Sequence, residues 1–326
     1  MHVMGASSTD DVRRDGSTRI PRVYGVRTGE PRWFSVLRVS ERHLGFIVGA
    51  LVFPLNWPLF WLFVVSYALR MWAIEGVYHR YFSHRAYKAG RAVQLALALL
   101  GLQTGQRGPL WWASKHRDHH KYADSAADPH SPRAHSFAHA YLTWFGMPEH
   151  AACDLDKVAD YARFPELRWL DRFYVIPFYS GALLLFLAGH LGWLGAQIGG
   201  LSALVWGFYA PCLLVIHATS LVNTLGHLPR RFGGYRRFAC ADYSANRPLL
   251  ALLTLGAGWH NNHHRYAASA RAGFAWYELD PSYGLLRLLA ALHVIRDVKA
   301  RIPEEILREG NVEAFRHSVM RLRRAM

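Results

Sequence analysis

The chain has 326 residues, of which 52% are hydrophobic and 19% charged, and it carries a net charge of +15; an average soluble domain has roughly 25% charged residues. The apolar residues come in blocks and the basic ones flank them. That pattern reads as a membrane protein whose basic flanks face anionic lipid or an acidic partner, not as a nucleic-acid binder. The three cysteines, Cys153, Cys212 and Cys240, contain no CxxC and exclude a disulfide framework or a zinc ribbon.

In chain order, residues 1–43 read as a polar, Arg-rich cytoplasmic segment with no apolar core of signal-peptide length. A first pair of spans is expected at about 44–56 and 58–77, turned at Pro54-Leu-Asn-Trp-Pro58. The first arm is short for a bilayer, so an earlier start or a single span over 44–69 are alternatives. Val93–Leu102 is too short to cross and is expected to be interfacial or buried. A second pair is expected at about 173–190 and 199–222, joined by a turn without Lys or Arg. With the basic residues in the N-terminal, middle and C-terminal segments, all three are placed in the cytoplasm. The expected fold is therefore an all-α membrane protein with four transmembrane helices. A cytoplasmic helical cap, 78–172 and 223–300, completes a domain over 44–300, followed by a basic tail, 301–326.

Nineteen histidines are the unusual feature, and eight fall into three clusters: His79-Arg-Tyr-Phe-Ser-His84, His116-Arg-Asp-His119-His120 and His260-Asn-Asn-His263-His264. On a helix, positions i, i+3 and i+4 share a face, so each of the last two clusters can point its histidines together. Positions i and i+5 lie about 140° apart on an α-helix. His79 and His84 are therefore expected to serve two neighbouring ions or to flank a helix end. Imidazole suits zinc, copper, iron and nickel, and eight ligands are too many for one four-coordinate zinc. Two metals sharing one site fit the count. Glu75, Asp118, Asp128, Asp242 and Glu278 lie near enough in sequence to orient the imidazoles.

At these residues the chain resembles the membrane fatty acid desaturases, specifically the stearoyl-CoA Δ9 branch, over about residues 44–300. Asp128-Pro129-His130, Asn223-Thr-Leu-Gly-His227 and Trp276-Tyr-Glu278-Leu-Asp280 extend the resemblance. It implies a ninth ligand, His227, beside His79, His84, His116, His119, His120, His260, His263 and His264, with Asn223 acting on a metal through water. It also implies two iron ions, O2 as co-substrate, and an acyl tunnel shaped by Gln106, Trp112 and Thr219. His130, His135, His139 and His150 are expected to support the site or lie on the surface. His43, His190, His217, His293 and His317 are left structural. Two departures stand against the acyl-CoA enzymes: Ser114-Lys115 where they carry Arg-Asp, and Ser220 where they carry Trp.

The chemistry implied is O2-dependent removal of two hydrogens from adjacent methylenes, giving a cis double bond and water. The residues after the third cluster show no haem or flavin domain. Electrons are expected from a separate ferredoxin, rubredoxin or cytochrome b5 with its reductase. The substrate is expected to be a fatty acyl chain on CoA or lipid, reached from a multi-pass position among membrane lipids. A hydroxylase on the same site is the closest rival. A metal transporter is weaker, because it would place ligands at mid-membrane.

Overall fold

The computed structural model describes residues 23–24, 32–228 and 234–308. Most of the N-terminal segment, most of the basic tail and His317 lie outside the described residues. Among the described residues the protein is mostly helical, with two antiparallel two-residue ladders. One pairs Val23–Tyr24 with Cys153–Asp154, and the other pairs Lys88–Ala89 with Ile295–Arg296.

Helix α1 spans Arg32–Val52, so it starts well before residue 44. Its charged first half is helical because Arg38 and Arg42 are buried against the protein, while Leu37, Leu44, Ile47, Val48 and Leu51 are exposed. Helix α2 spans Trp57–Ser83. Asn56 starts it by accepting the Leu59 N–H at 2.9 Å, and Pro58 sits in the first turn, where its missing N–H costs nothing. Two helices, rather than one, therefore occupy the first apolar stretch. Its last eleven residues, Ala73–Ser83, wind as a π-helix.

Helices α3 (Arg91–Leu102) and α4 (Pro109–Tyr122) follow. Asp171 caps α4 from outside, accepting from the N–H groups of Leu110 and Trp111 at 2.9 Å each. Helices α5 (Pro165–Arg172) and α6 (Val175–His190) meet at a 75° bend. Helix α7 spans Gly200–Leu225 and packs on α1 and α2. The short helices α8 (Pro248–Leu253), α9 (His260–Arg265) and α10 (Pro281–Ala291) complete the described chain.

By length and composition α2 and α7 can cross a membrane, and the bent α5–α6 pair would be a third span if counted as one. The largest core lies between the π-helical end of α2 and helices α3, α4 and α5. Tyr78, Phe82, Leu102, Leu110 and Leu167 are among its fully buried side chains. That core holds α4 against the end of α2, and so brings the first two histidine clusters together.

Candidate metal centre

Nine imidazoles converge in two groups. His79, His84, His116, His120 and His263 form one; His119, His227, His260 and His264 form the other. Within each group the candidate ligand atoms lie within 4.8 Å of one another. Facing Nε2 atoms stand 2.8 Å apart for His79 and His263, 2.9 Å for His84 and His116, and 2.9 Å for His120 and His263. In the second group His227 and His260 face at 2.9 Å, and His119 and His264 at 3.3 Å.

The grouping differs from the reading of one cluster per face. The middle cluster sends His116 and His120 to one group and His119 to the other. The last cluster does the reverse, sending His263 to the first and both His260 and His264 to the second. An i, i+4 pair points one way and the i+3 residue leans to its neighbour. His79 and His84 are also not split between groups. The π-helix explains this: the His84 N–H bonds to the His79 carbonyl at 3.1 Å, an i+5 bond that stacks the two residues.

The far ring nitrogens are held by carboxylates. Nδ1 of His79 meets Glu75 at 2.7 Å, Nδ1 of His119 meets Asp128 at 3.0 Å, and Nδ1 of His264 meets Asp242 at 2.8 Å. Of the other expected partners, Asp118 binds Lys157 at 2.7 Å instead. Glu278 accepts from Tyr235, Arg237 and Asn262 and braces the loop around the last cluster. Asp124, which sequence reasoning missed, holds Nδ1 of His227 at 2.9 Å across 103 residues. Burial alone would raise the Asp128 carboxyl pKa, but the charge of His119 and its hydrogen bond outweigh that and hold it well below the usual range. Asp124 is lowered against burial by its bond to His227, and Asp242 chiefly by its bonds to Ser244.

Arg80 fixes Glu75 in turn, donating to it at 2.8 Å and to Asp280 at 2.9 Å. Asn261 and Asn262, inside the last cluster, are fully buried clamps. Asn261 accepts from the N–H groups of Arg237 and Phe238, and Asn262 accepts from Asn246. Gly226 has a steric role: a Cβ there would stand 2.9 Å from Cδ2 of His260. Only glycine lets His227 and His260 close up.

Burial, and then the neighbouring imidazoles, push His84, His116, His260, His263, His264 and His120 well below the usual histidine range. They are neutral at physiological pH. In neutral rings whose Nδ1–H serves a carboxylate, Nε2 is a bare lone pair. His264 is in that state, and its Nε2 stands 3.3 Å from that of His119, whose Nδ1 also meets a carboxylate. A cation placed between the two nitrogens would be held by both. Two cis ligands at about 2.1 Å from one ion stand about 3.0 Å apart, which matches the spacings here. The five-membered group exceeds a four-coordinate zinc site. The two groups fit a pair of metal ions that take imidazole ligands.

The fatty acid desaturase family model matches residues 55–298. An acyl-CoA 5-desaturase of Anemone leveillei is 33% identical over 263 residues, 78% of this chain and 75% of its own length. An sn-2 palmitoyl-lipid 9-desaturase of Nostoc sp. is 30% identical over 283 residues, covering 84% of this chain and 92% of the relative. An sn-1 stearoyl-lipid 9-desaturase of Anabaena variabilis is 33% identical over 264 residues, 78% and 91% of the two chains. The chain belongs to the fatty acid desaturase family.

A cavity adjoins the histidines of this desaturase. His116, His130 and Asn223 line it together with Gln106, Trp112 and Thr219. The three residues expected to shape a tunnel form one hydrogen-bonded chain. Trp112 Nε1 donates to Gln106 Oε1 at 3.2 Å, and Gln106 Nε2 donates to Thr219 Oγ1 at 3.1 Å. The Trp112 ring stacks on His116, centroids 4.9 Å apart. Asn223 lies in the last turn of α7, four residues before His227, which follows the end of that helix. Lys115 and Ser220, two departures from the acyl-CoA pattern, both line the cavity, whereas Ser114 is buried away from it.

Of the remaining histidines, His130 supports the site. Its ring lies 4.4 Å from that of His119, and burial pushes it down to about 3. His135 and His139 bond to the carbonyls of Asp128 and Pro129, and so shape the turn that carries Asp128. His150 stacks edge-on to Trp144. His43 and His217 face each other at 3.2 Å, with Tyr141 on the far side of His217 at 2.9 Å. They join α1 to α7. His190 stacks on Phe186 at the end of α6, and His293 follows α10 with a φ of 55°.

Proposed function

We propose that this desaturase introduces a cis double bond, at Δ9, into a saturated acyl chain, using O2 and two electrons from a separate ferredoxin, rubredoxin or cytochrome. The observation that carries the metal assignment is the approach of the His119 and His264 Nε2 atoms, with both rings locked from behind by carboxylates. His79, His84, His116, His120 and His263 hold one iron. His119, His227, His260 and His264 hold the other, with Asn223 reaching it through water. Bound iron would activate O2, the oxidant for C–H cleavage. The chain's own residues do the rest. Glu75, Asp124, Asp128 and Asp242 keep Nε2 of His79, His227, His119 and His264 aimed inward, and Trp112, Gln106 and Thr219 present an acyl chain beside His116 and set the depth of the reacting carbons.

The position of the site supports desaturase over transporter. His79 lies in the last turns of α2, and His227 lies just past the end of α7, so the imidazoles gather at helix ends instead of at mid-span. We place that end in the cytoplasm, with α1, α2, the α5–α6 pair and α7 in the membrane. The relatives support acyl chemistry but differ in detail: one acts at position 5 on acyl-CoA, two at position 9 on lipid. The test is expression in a host lacking unsaturated fatty acids, followed by mass spectrometry of total lipids. A new monoene with its bond at carbon 9 is expected. A hydroxylated chain without a monoene would overturn desaturation in favour of hydroxylation. A monoene at another carbon would overturn Δ9 alone.

A further inference from the structure

Between α7 and the last histidine cluster the chain makes a closed hairpin. Its ends are pinned together: the Arg247 N–H donates to the Gly258 carbonyl at 2.8 Å, and Asn246 bridges to Trp259. The Arg247 side chain ties that base to the end of α7, donating to the carbonyls of Leu225 and Leu228. The stretch in between, Pro248-Leu-Leu-Ala-Leu-Leu-Thr-Leu-Gly-Ala-Gly-Trp259, contains no ionisable residue. Its far end touches α2, where the Tyr67 hydroxyl donates to the Leu253 carbonyl at 2.6 Å. Any stretch of about 20 residues, the length that crosses a bilayer, cut from the 27 residues of α2 includes Tyr67. The base of the hairpin therefore lies at the end of one candidate span, and its tip lies beside the interior of another.

The turning backbone finds its partners within the protein. Thr254 Oγ1 donates to the Leu250 carbonyl at 2.6 Å and accepts the Gly258 N–H at 3.1 Å. The Gly256 N–H bonds back to the Ala251 carbonyl at 2.8 Å, and the Leu255 carbonyl accepts the Ser282 N–H at 3.1 Å. Irregular backbone is tolerated at membrane depth only where it is satisfied in this way. The side chains divide: Leu250 and Ala251 are buried, whereas Leu249 and Leu252 are 84% and 64% exposed. Trp259 Nε1 donates to the Leu279 carbonyl at 2.7 Å and so brings a second apolar edge alongside. There Trp276 is 91% exposed, and Tyr277 and Leu279 are exposed too. Such an edge is unfavourable in water and favourable in lipid, and Trp and Tyr are the side chains that settle at the membrane–water boundary. We propose that 247–259 is a re-entrant hairpin, with Leu249 and Leu252 among lipid acyl chains and Trp276 and Tyr277 at the headgroup level. The bilayer is the partner of this surface, and through it the histidines that begin at His260 are held at a fixed depth beside α2. This rests on the placing of α2 in the membrane.

The full chain is reconstituted in phosphatidylcholine vesicles with one added cysteine at a time. Leu252→Cys and Trp276→Cys report on the hairpin edge, Val65→Cys on the exposed face of α2, and Lys88→Cys on an exposed position after the first histidine cluster. Each cysteine carries a fluorophore that emits further to the blue in apolar surroundings. Wild type treated in parallel gives the background from Cys153, Cys212 and Cys240. At Leu252→Cys and Val65→Cys the emission is expected to shift to the blue, to be quenched by lipid with a nitroxide on its acyl chain, and to resist iodide. At Trp276→Cys a headgroup nitroxide is expected to quench, and at Lys88→Cys iodide alone. A label at Leu252→Cys open to iodide, with that at Val65→Cys in lipid, would overturn the hairpin and leave the span standing. Labels open to iodide at both positions would overturn span and hairpin together. A label at Leu252→Cys reached by no quencher would mean that protein covers this edge, a second copy of the chain included, and would also overturn the proposal. Absence of lipid quenching at Trp276→Cys would remove Trp276 and Tyr277 from the boundary.

Discussion

Asp124 shows how much a single carboxylate does here. Its side chain holds His227 Nδ1 at 2.9 Å and also accepts the Tyr243 N–H at 2.8 Å, so it fixes the ring and the loop that leads to Asp242. Asp124→Ala frees the His227 ring to rotate and removes the reason for its Nε2 to be bare. Loss of such a partner weakens metal binding by about 10–100-fold. The expected result is purified protein that gives up iron from one centre to a chelator the wild type resists, measured as iron per chain after dialysis. Asp124→Asn, which can still accept from Nδ1, is expected to fall between the two. Unchanged iron retention in the alanine variant would remove Asp124 from the site. Nothing in the sequence marked this residue. Its partner is 103 positions away, and its φ of 62° is a property of the folded turn. Glu75 and Asp128 were legible because each lies close in sequence to a histidine cluster, whereas Asp242 lies 22 residues before His264. Asp118 was equally close and wrong, since its helix turns it toward Lys157.

At the scale of the element, the spacing of histidines was a good guide to which residues gather and a poor one to how they divide. The i, i+3, i+4 rule brings His116, His119 and His120 to one side of α4, and they are there. It does not say that the side faces two centres at once. The division follows from α9 approaching from across the site, with His263 entering between His79 and His120. The i, i+5 pair was harder still, because an α-helical wheel sets His79 and His84 apart. The register change to π-helix over Ala73–Ser83 is invisible to a periodicity argument. This geometry yields a separable outcome. His116→Ala and His119→Ala lie on one helix, one turn apart, yet each should empty a different centre. Each purified variant is expected to hold about one iron per chain, with product formation lost in both. If His116→Ala and His119→Ala both retained two irons, the two-centre division would be wrong.

For the whole molecule, the expectation of a mostly helical chain holds, and histidines from 78–172 and from 223–300 lie together. Five of the nine imidazoles come from the first segment and four from the second. An earlier start of the first arm stood only as an alternative, and the structure takes it, because the burial of Arg38 and Arg42 depends on a cavity built with α4, α7 and the loop at Gly105. The assembly also sets the response to acid. In the folded, metal-free protein, burial and mutual repulsion keep His84, His116, His120, His260, His263 and His264 neutral, with pKa values well below 6.5. In the unfolded chain the same rings take up protons near 6.5. The unfolded state therefore binds more protons as pH falls through 6.5, and folding stability falls with it. The lowered carboxylates Asp124, Asp128 and Asp242 act later, their contribution being lost only as pH drops below their ordinary value of 3.8. Chelator-treated protein in detergent is thus expected to lose about 4 °C or more of Tm between pH 8 and pH 5.5, at about 2 °C for each kcal/mol. A flat Tm over that interval would mean the imidazoles are solvated in the metal-free state, and that the cage is assembled by the metal instead of waiting for it.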